Sequence, residues 1–259
     1  MMSNTSKPAP GGQSAGPYHV VVLMGGNSGE REISLQSGAA VCQALASLGH
    51  RVTAVDPAET DLQAYDWANV DVCFLALHGT FGEDGQVQSL LEATGVPYTG
   101  SGRHASQLAF HKSAAKERFF QAHVPTPAYT LIHRGDSAER IDQLVRSFGF
   151  PLVVKPDAQG SSLGVTIVRT PEELPAALAA CFCHDSFGLI EEYVDGSEWT
   201  LGIIDEEVLP LIQVQSGRDF YDYQAKYQDD ATQYCFDFDL PTNVIQQLIS
   251  TGQDAARAL

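Results

Sequence analysis

The chain has 259 residues, 44% of them hydrophobic, and a formal net charge of −17 at pH 7. That length supports a large core and roughly two domains, and the composition is that of a globular chain rather than a disordered or fibrous one. The acidity opposes contact with phosphate polymers or anionic lipid, whose non-specific binding is driven by Lys and Arg, so neither nucleic acid nor a membrane is an expected partner.

Residues 1–17 are rich in Pro, Gly, Ser and Ala without an apolar stretch of signal-peptide length, and are expected to be a floppy leader. The apolar run "YHVVVLM" at 18–24 predicts a strand buried on both faces. A glycine turn follows, "MGGNSGEREISL", and then Ile33, Val41, Ala44, Leu45 and Leu48 recur at helical spacing, with Gly49 where a helix C-terminus favours positive φ. "RVTAVD" and "VDVCFLAL" predict two further strands, the second followed by the loop "HGTFGEDG" and a helix around Val87, Leu90 and Leu91. Strands alternating with helices imply a parallel sheet, so residues 18–102 are read as one open α/β domain with functional loops at the strand C-termini.

One helical stretch is expected near 103–122, ended by the prolines of "VPTP", after which a new unit begins. "PLVVKPDAQGSSLGVTIV" predicts antiparallel strands around a mobile flap, and 171–183 predicts a helix. "GLIEEYVDGSEWTLGIID" predicts two strands about a turn, and the polar, aromatic stretch 215–235 a long loop. The five cysteines, Cys42, Cys73, Cys181, Cys183 and Cys235, include no CxxC pair, which argues against a disulfide framework or structural zinc and fits a reducing cytoplasm.

The first glycine turn superficially suits a dinucleotide, with Asp56 as the ribose-binding acid. Its pattern is GGxxG, however, and Glu30 and Glu32 would face a pyrophosphate with like charge. Glu30 suits an ammonium group better, although both acids also favour the helix dipole in a first turn. His78 ends a buried strand, either facing a ligand or simply hydrogen-bonded. Lys155 ends "LVVK" just before Gly160, Ser161 and Ser162, an arrangement suited to ATP phosphates, yet also that of a strand-end lysine reaching solvent. Glu191, Glu192 and Glu198 are either solvated acids or adenine and ribose contacts. Lys226 and Tyr227 stand among Tyr221, Tyr223 and Tyr234, as a lid over a phosphoryl-transfer site would require.

Together "GGNSGEREISL", "ALHGTFGEDG", "PYTGSG", "VVKPDAQGSSLGV", "IEEYVDGSEWT" and "FYDYQAKYQDDATQY", in this order, resemble bacterial D-alanine–D-alanine ligases, enzymes of the ATP-grasp fold. The resemblance implies an N-terminal parallel α/β domain (18–102), a central ATP-grasp subdomain (103–192) and a partial C-terminal one (193–259) with its lid at 215–235. It implies that Glu30 orients the first D-alanine in a triad with Ser161 and Tyr227, and that His78 lies near that substrate's carboxylate. It further assigns Lys112, Lys155, Ser161, Ser162 and Lys226 to the ATP phosphates, and Glu191, Val194 and Glu198 to adenine and ribose. The implied reaction runs through an acyl phosphate to a dipeptide for peptidoglycan, in a cytoplasmic homodimer.

Three departures stand out. His111 replaces the usual Asp before Lys112, which puts helix capping there in doubt, and Glu192 stands where some relatives carry Lys. The family also continues into a segment with an arginine and the ligands for Mg2+ or Mn2+, whereas this chain stops at Leu259 with no metal ligands of its own, so the 259 residues alone are expected to be inactive. The alternatives are a noncatalytic nucleotide-binding protein and an ATP-grasp ligase of another small carboxylate.

Overall fold

The computed structural model describes residues 16–218, 220–228 and 231–259, so all but the last two residues of the expected leader lie outside it. Strand β1 (His19–Leu23) sits between β2 (Arg51–Val55) and β3 (Val72–Leu75) in a parallel sheet of order β2-β1-β3. The valine run does what its lack of alternation predicts. Val21 and Leu23 face one core with Trp67, Val87 and Leu91, while Val20 and Val22 face the other with Val41 and Leu45 of helix α1 (Arg31–Ser47). Gly49, just past α1, has φ +85°, which lets the chain reverse into β2. Helix α2 (Gln86–Thr94) covers the first core.

The helical stretch expected near 103–122 is two helices, α3 (Arg103–Phe110) and α4 (Lys112–Gln121), parted at His111, whose backbone is extended. His111 makes no cap hydrogen bond from its side chain. Asp157 caps α4 instead: its Oδ1 accepts from Ser113 N at 2.7 Å and its carbonyl from Lys112 N at 3.1 Å. The carboxylate, 7% exposed, thereby satisfies amides that a helix start leaves unpaired.

Next comes an antiparallel sheet of order β4-β7-β5-β6, from β4 (Tyr129–His133), β5 (Leu152–Pro156), β6 (Thr166–Val168) and β7 (Phe187–Glu192). Helices α5 (Ala138–Phe148) and α6 (Leu174–His184, entered through a 3-10 turn at Pro171–Glu173) cover one face, where Leu152, Val154, Val168 and Ile190 are buried. The period of two turns Val153, Lys155 and Glu191 toward the opposite face.

The two strands expected around "YVDGS" belong to different sheets. Strand β8 (Glu198–Thr200) pairs with β11 (Ile212–Gln215) in a sheet of order β12-β11-β8, while β9 (Ile203–Ile204) and β10 (Glu207–Val208) form a hairpin. The expected long loop at 215–235 contains a short helix α7 (Tyr223–Tyr227) and strand β12 (Gln233–Cys235). Asp222 caps α7 by accepting from Ala225 N. Helix α8 (Thr242–Ala258) returns to α4, where Arg118 Nε donates to Ala258 O at 3.1 Å. None of the described helices is long and apolar enough to cross a membrane.

Asp157→Ala should lower the unfolding free energy by about 1–2 kcal/mol, the usual cost of a lost N-cap, and Asp157→Asn should lower it less. Urea titration followed by circular dichroism checks both.

Candidate functional site

Three segments far apart in sequence meet at Glu30. Its carboxylate is 3% exposed at the start of α1. The Ser161 hydroxyl donates to Oε1, and Tyr227 OH lies 2.7 Å from Ser161 Oγ and 3.5 Å from Oε1. Since the Ser161 proton is committed to the carboxylate, Tyr227 donates to Ser161. Glu30 Oε2 is buried and has no hydrogen-bond partner among the described residues. Space for it depends on glycine: a Cβ on Gly79, at φ +67°, would lie 2.6 Å from Oε2, and one on Gly160 would lie at 3.0 Å. A buried carboxylate oxygen left unpaired is costly, so this one is suited to a donor brought from outside, above all an ammonium.

Ser161 and Ser162, between β5 and β6, have φ +49° and +57°. The left-handed region is strained for serine and is held only when its surroundings enforce it. Here Ser161 is held by Glu30 and Ser162 Oγ by Tyr221 O at 2.9 Å.

Behind these serines opens a cavity of about 510 Å³ lined by Lys112, Lys155, Ser161, Ser162, Glu191 and Val194, with Lys226 among its further wall residues. Lys112 Nζ donates to the carbonyls of Asp157 and Gln159. Burial, and then the charge of Lys155, push its pKa down to about 8. Burial also lowers that of Lys226, against the opposing fields of Glu198 and Glu30. Both oxygens of Glu191 are ion-paired, one to Lys155 and the other to Lys116. Three lysines against one shielded acid give this cavity a positive lining of the kind that suits a polyanion, with Ser161 and Ser162 also in its wall.

Besides Glu30 and Tyr227, two assigned residues lie off this cavity. Glu198 is exposed and accepts from Tyr221 N at 3.3 Å, close enough to Lys226 to act on its charge. His78 lines a neighbouring cavity of about 570 Å³, with Nδ1 3.6 Å from Glu83 Oε1. The hydrogen bond to Glu83 raises the His78 pKa against half-burial, and the charges of Glu83 and Glu30 add to it. Asp56, the dinucleotide alternative, is occupied: it pairs with Arg31 at 2.7 Å and accepts from Gly26 N and Ala58 N.

Sequence reasoning passed over Glu83, Lys116 and Asp157. Glu83 stands inside a motif already singled out, five residues from His78. Lys116 follows Lys112 by one helical turn, a spacing that puts both on one face of α4. Asp157 carried no local signal, because the helix it caps lies elsewhere in the chain.

Comparison with known proteins adds an independent line. The family described as D-ala D-ala ligase C-terminus matches residues 119–259, and that described as D-ala D-ala ligase N-terminus matches 53–101. The chain is 43% identical to a D-alanine–D-alanine ligase of Geobacter sulfurreducens over 92% of its own length and 74% of the relative's, and 44% identical to one of Polaromonas naphthalenivorans over 89% and 73%. Among solved structures it is similar to the D-alanine–D-alanine ligase of Bacillus anthracis (TM-score 0.81, 33% identity, 93% of this chain and 78% of that one). It is also similar to that ligase complexed with ATP (TM-score 0.77, 28% identity, 93% and 77%).

Glu83→Gln should lower the His78 pKa, measurable by following its ring proton resonances against pH. The pair contributes stability that is full below about pH 6.5 and is lost as pH rises through the raised folded-state value. The variant should therefore be least stable relative to the parent on the acid side.

Proposed function

The chain belongs to the D-alanine–D-alanine ligase family, whose members are ATP-dependent carbon–nitrogen ligases, and we propose that its residues bind ATP and D-alanine for acyl-phosphate chemistry. The observation that carries this reading is the Glu30–Ser161–Tyr227 triad, whose unpartnered carboxylate oxygen lies beside the lysine-lined cavity. Glu30 Oε2 takes the ammonium of the first D-alanine, and protonated His78 attracts its carboxylate. Lys112, Lys155 and Lys226 neutralise the triphosphate, and the Ser161 and Ser162 segment wraps its oxygens. Adenine packs against Val194 near Glu191, and the ribose points toward Glu198.

In the proposed reaction a carboxylate oxygen of the first D-alanine attacks the γ-phosphorus, and ADP leaves. The neutral amine of the second D-alanine attacks the acyl carbon, the bond from that carbon to the phosphate oxygen breaks, phosphate leaves with the proton the nitrogen gives up, and a dipeptide for peptidoglycan remains. The protein's share is orientation and charge neutralisation, with flap and lid keeping water from the acyl phosphate. Tyr227 in the triad favours an amine over a hydroxy acid as second substrate, which assay of dipeptide against depsipeptide formation tests. A cytoplasmic homodimer belongs to the same proposal.

Phosphoryl transfer in such enzymes draws on a divalent metal to neutralise the β- and γ-oxygens. Among the described residues no three His, Cys, Asp or Glu are grouped to hold one, and no step is assigned to it. Ligand binding and turnover are therefore tested separately.

Turnover is tested in a fusion that continues these residues with the remaining quarter of a relative. ADP should be released only when D-alanine is present, and Lys155→Ala or Lys226→Ala should cost about a hundredfold in kcat. Near-normal rates for both variants would remove the lysines from this scheme. Calorimetry tests Lys112 in the 259-residue chain. At about pH 9 a lysine with a pKa of about 8 is mostly neutral, and a polyphosphate raises that pKa, so ATP binding should take up protons in paired buffers of different ionisation enthalpy. Lys112→Met should reduce the uptake, leaving any share contributed by Lys226.

A further inference from the structure

Lys116 has no part in the scheme so far. Its residue is 5% exposed, and it is absent from the lining of the lysine cavity. It lies behind that cavity, in a smaller space of about 350 Å³ that shares Lys112, Lys155 and Glu191 as a common wall. All its donors are used: Nζ bonds Thr126 Oγ1 at 2.6 Å, Pro127 O at 2.8 Å and Glu191 Oε1 at 2.5 Å. The ammonium also stands 5.1 Å from the centre of the Tyr129 ring. An ammonium with three partners has none left for a phosphate.

Glu191 is the shared element. One oxygen belongs to Lys116 and the other to Lys155, whose side chain is 20% exposed on the cavity wall. A polyanion in the cavity competes with Glu191 for Lys155. If Lys155 were the sole partner of this buried carboxylate, drawing it away would leave an uncompensated charge, which is strongly unfavourable. With Lys116 behind it, Glu191 stays paired.

We infer that Lys116 is a positioning residue: a permanent counter-ion that holds Glu191 from behind and leaves Lys155 free to exchange it for a nucleotide phosphate. The inference deepens the proposed function and rests on its assignment of Lys155 to ATP. A merely structural lysine would affect stability alone. This one couples to ligand binding through the charge on residue 191.

The test uses the 259-residue chain, with ATP titrated by calorimetry and stability read by urea unfolding. Lys116→Met should weaken ATP binding about tenfold or more, the scale of a buried charge left unpaired, whereas Lys116→Arg should weaken it less. Adding Glu191→Gln to Lys116→Met removes the stranded charge and should restore affinity to that of Glu191→Gln alone. Affinity within twofold of the parent in Lys116→Met, or a double variant that binds more weakly than Glu191→Gln, overturns the inference. Should Lys116→Met fail to fold, the comparison of double variant with Glu191→Gln decides. If the parent chain binds no ATP, the nucleotide reading falls, and the stability cycle judges the clamp separately. Coupling of residue 191 to 116 should then exceed its coupling to 155 by about tenfold in the unfolding constant, and equal coupling refutes the clamp.

Discussion

One buried carboxylate ties the described structure together. Glu30 belongs to the first helix, yet its Oε1 receives a hydroxyl 131 residues away and lies within reach of a second 197 residues away. The Ser161 contact is a charge-assisted hydrogen bond to a buried carboxylate, the kind that is strongest, and Tyr227 is tied to it through Ser161. The parallel sheet, the β5–β6 flap and helix α7 therefore acquire a common geometry at this point. A substitution at Glu30 would remove more than an electrostatic contact, because Ser161 and, through it, Tyr227 are held by this carboxylate.

The distribution of charge around this point is as informative as its sum. A chain with net charge −17 lines one cavity with Lys112, Lys155 and Lys226 and turns a single buried acid among them. The sheet does much of this: alternation along β5 and β7 puts Lys155 and Glu191 on the face opposite the aliphatic core. Helix α7 supplies Lys226 and helix α4 supplies Lys112, with Lys116 one turn further along α4 behind the cavity. Like charges at that spacing repel, and the carbonyls of residues 157 and 159 together with Glu191 offset the repulsion.

Much of the architecture could be read directly from residues. The unbroken valines of β1 announced a strand buried on both faces, and Gly49 marked its helix end. The Glu30, Ser161 and Tyr227 grouping came from resemblance, since nothing local in "GGNSGE" points to a tyrosine 197 residues on. The failures share one cause. The 103–122 stretch splits because its cap, Asp157, arrives from another strand, and β7 and β8 separate because their pairing partners lie elsewhere in the chain. Lys116 looks like an ordinary solvent-facing lysine until the register of β7 puts Glu191 beneath it.

The backbone at residues 161 and 162 has a mechanical consequence. A flap built from glycines would rest in its folded-over form at no torsional expense, whereas two serines held in left-handed torsions are wound like a spring, each by about 1–3 kcal/mol. The hydroxyls that latch the flap and the torsions that recoil from it reside in the same two amino acids. Each serine is held in its strained torsion by its own hydroxyl contact, so loss of that contact would leave nothing to offset the torsional strain at that residue.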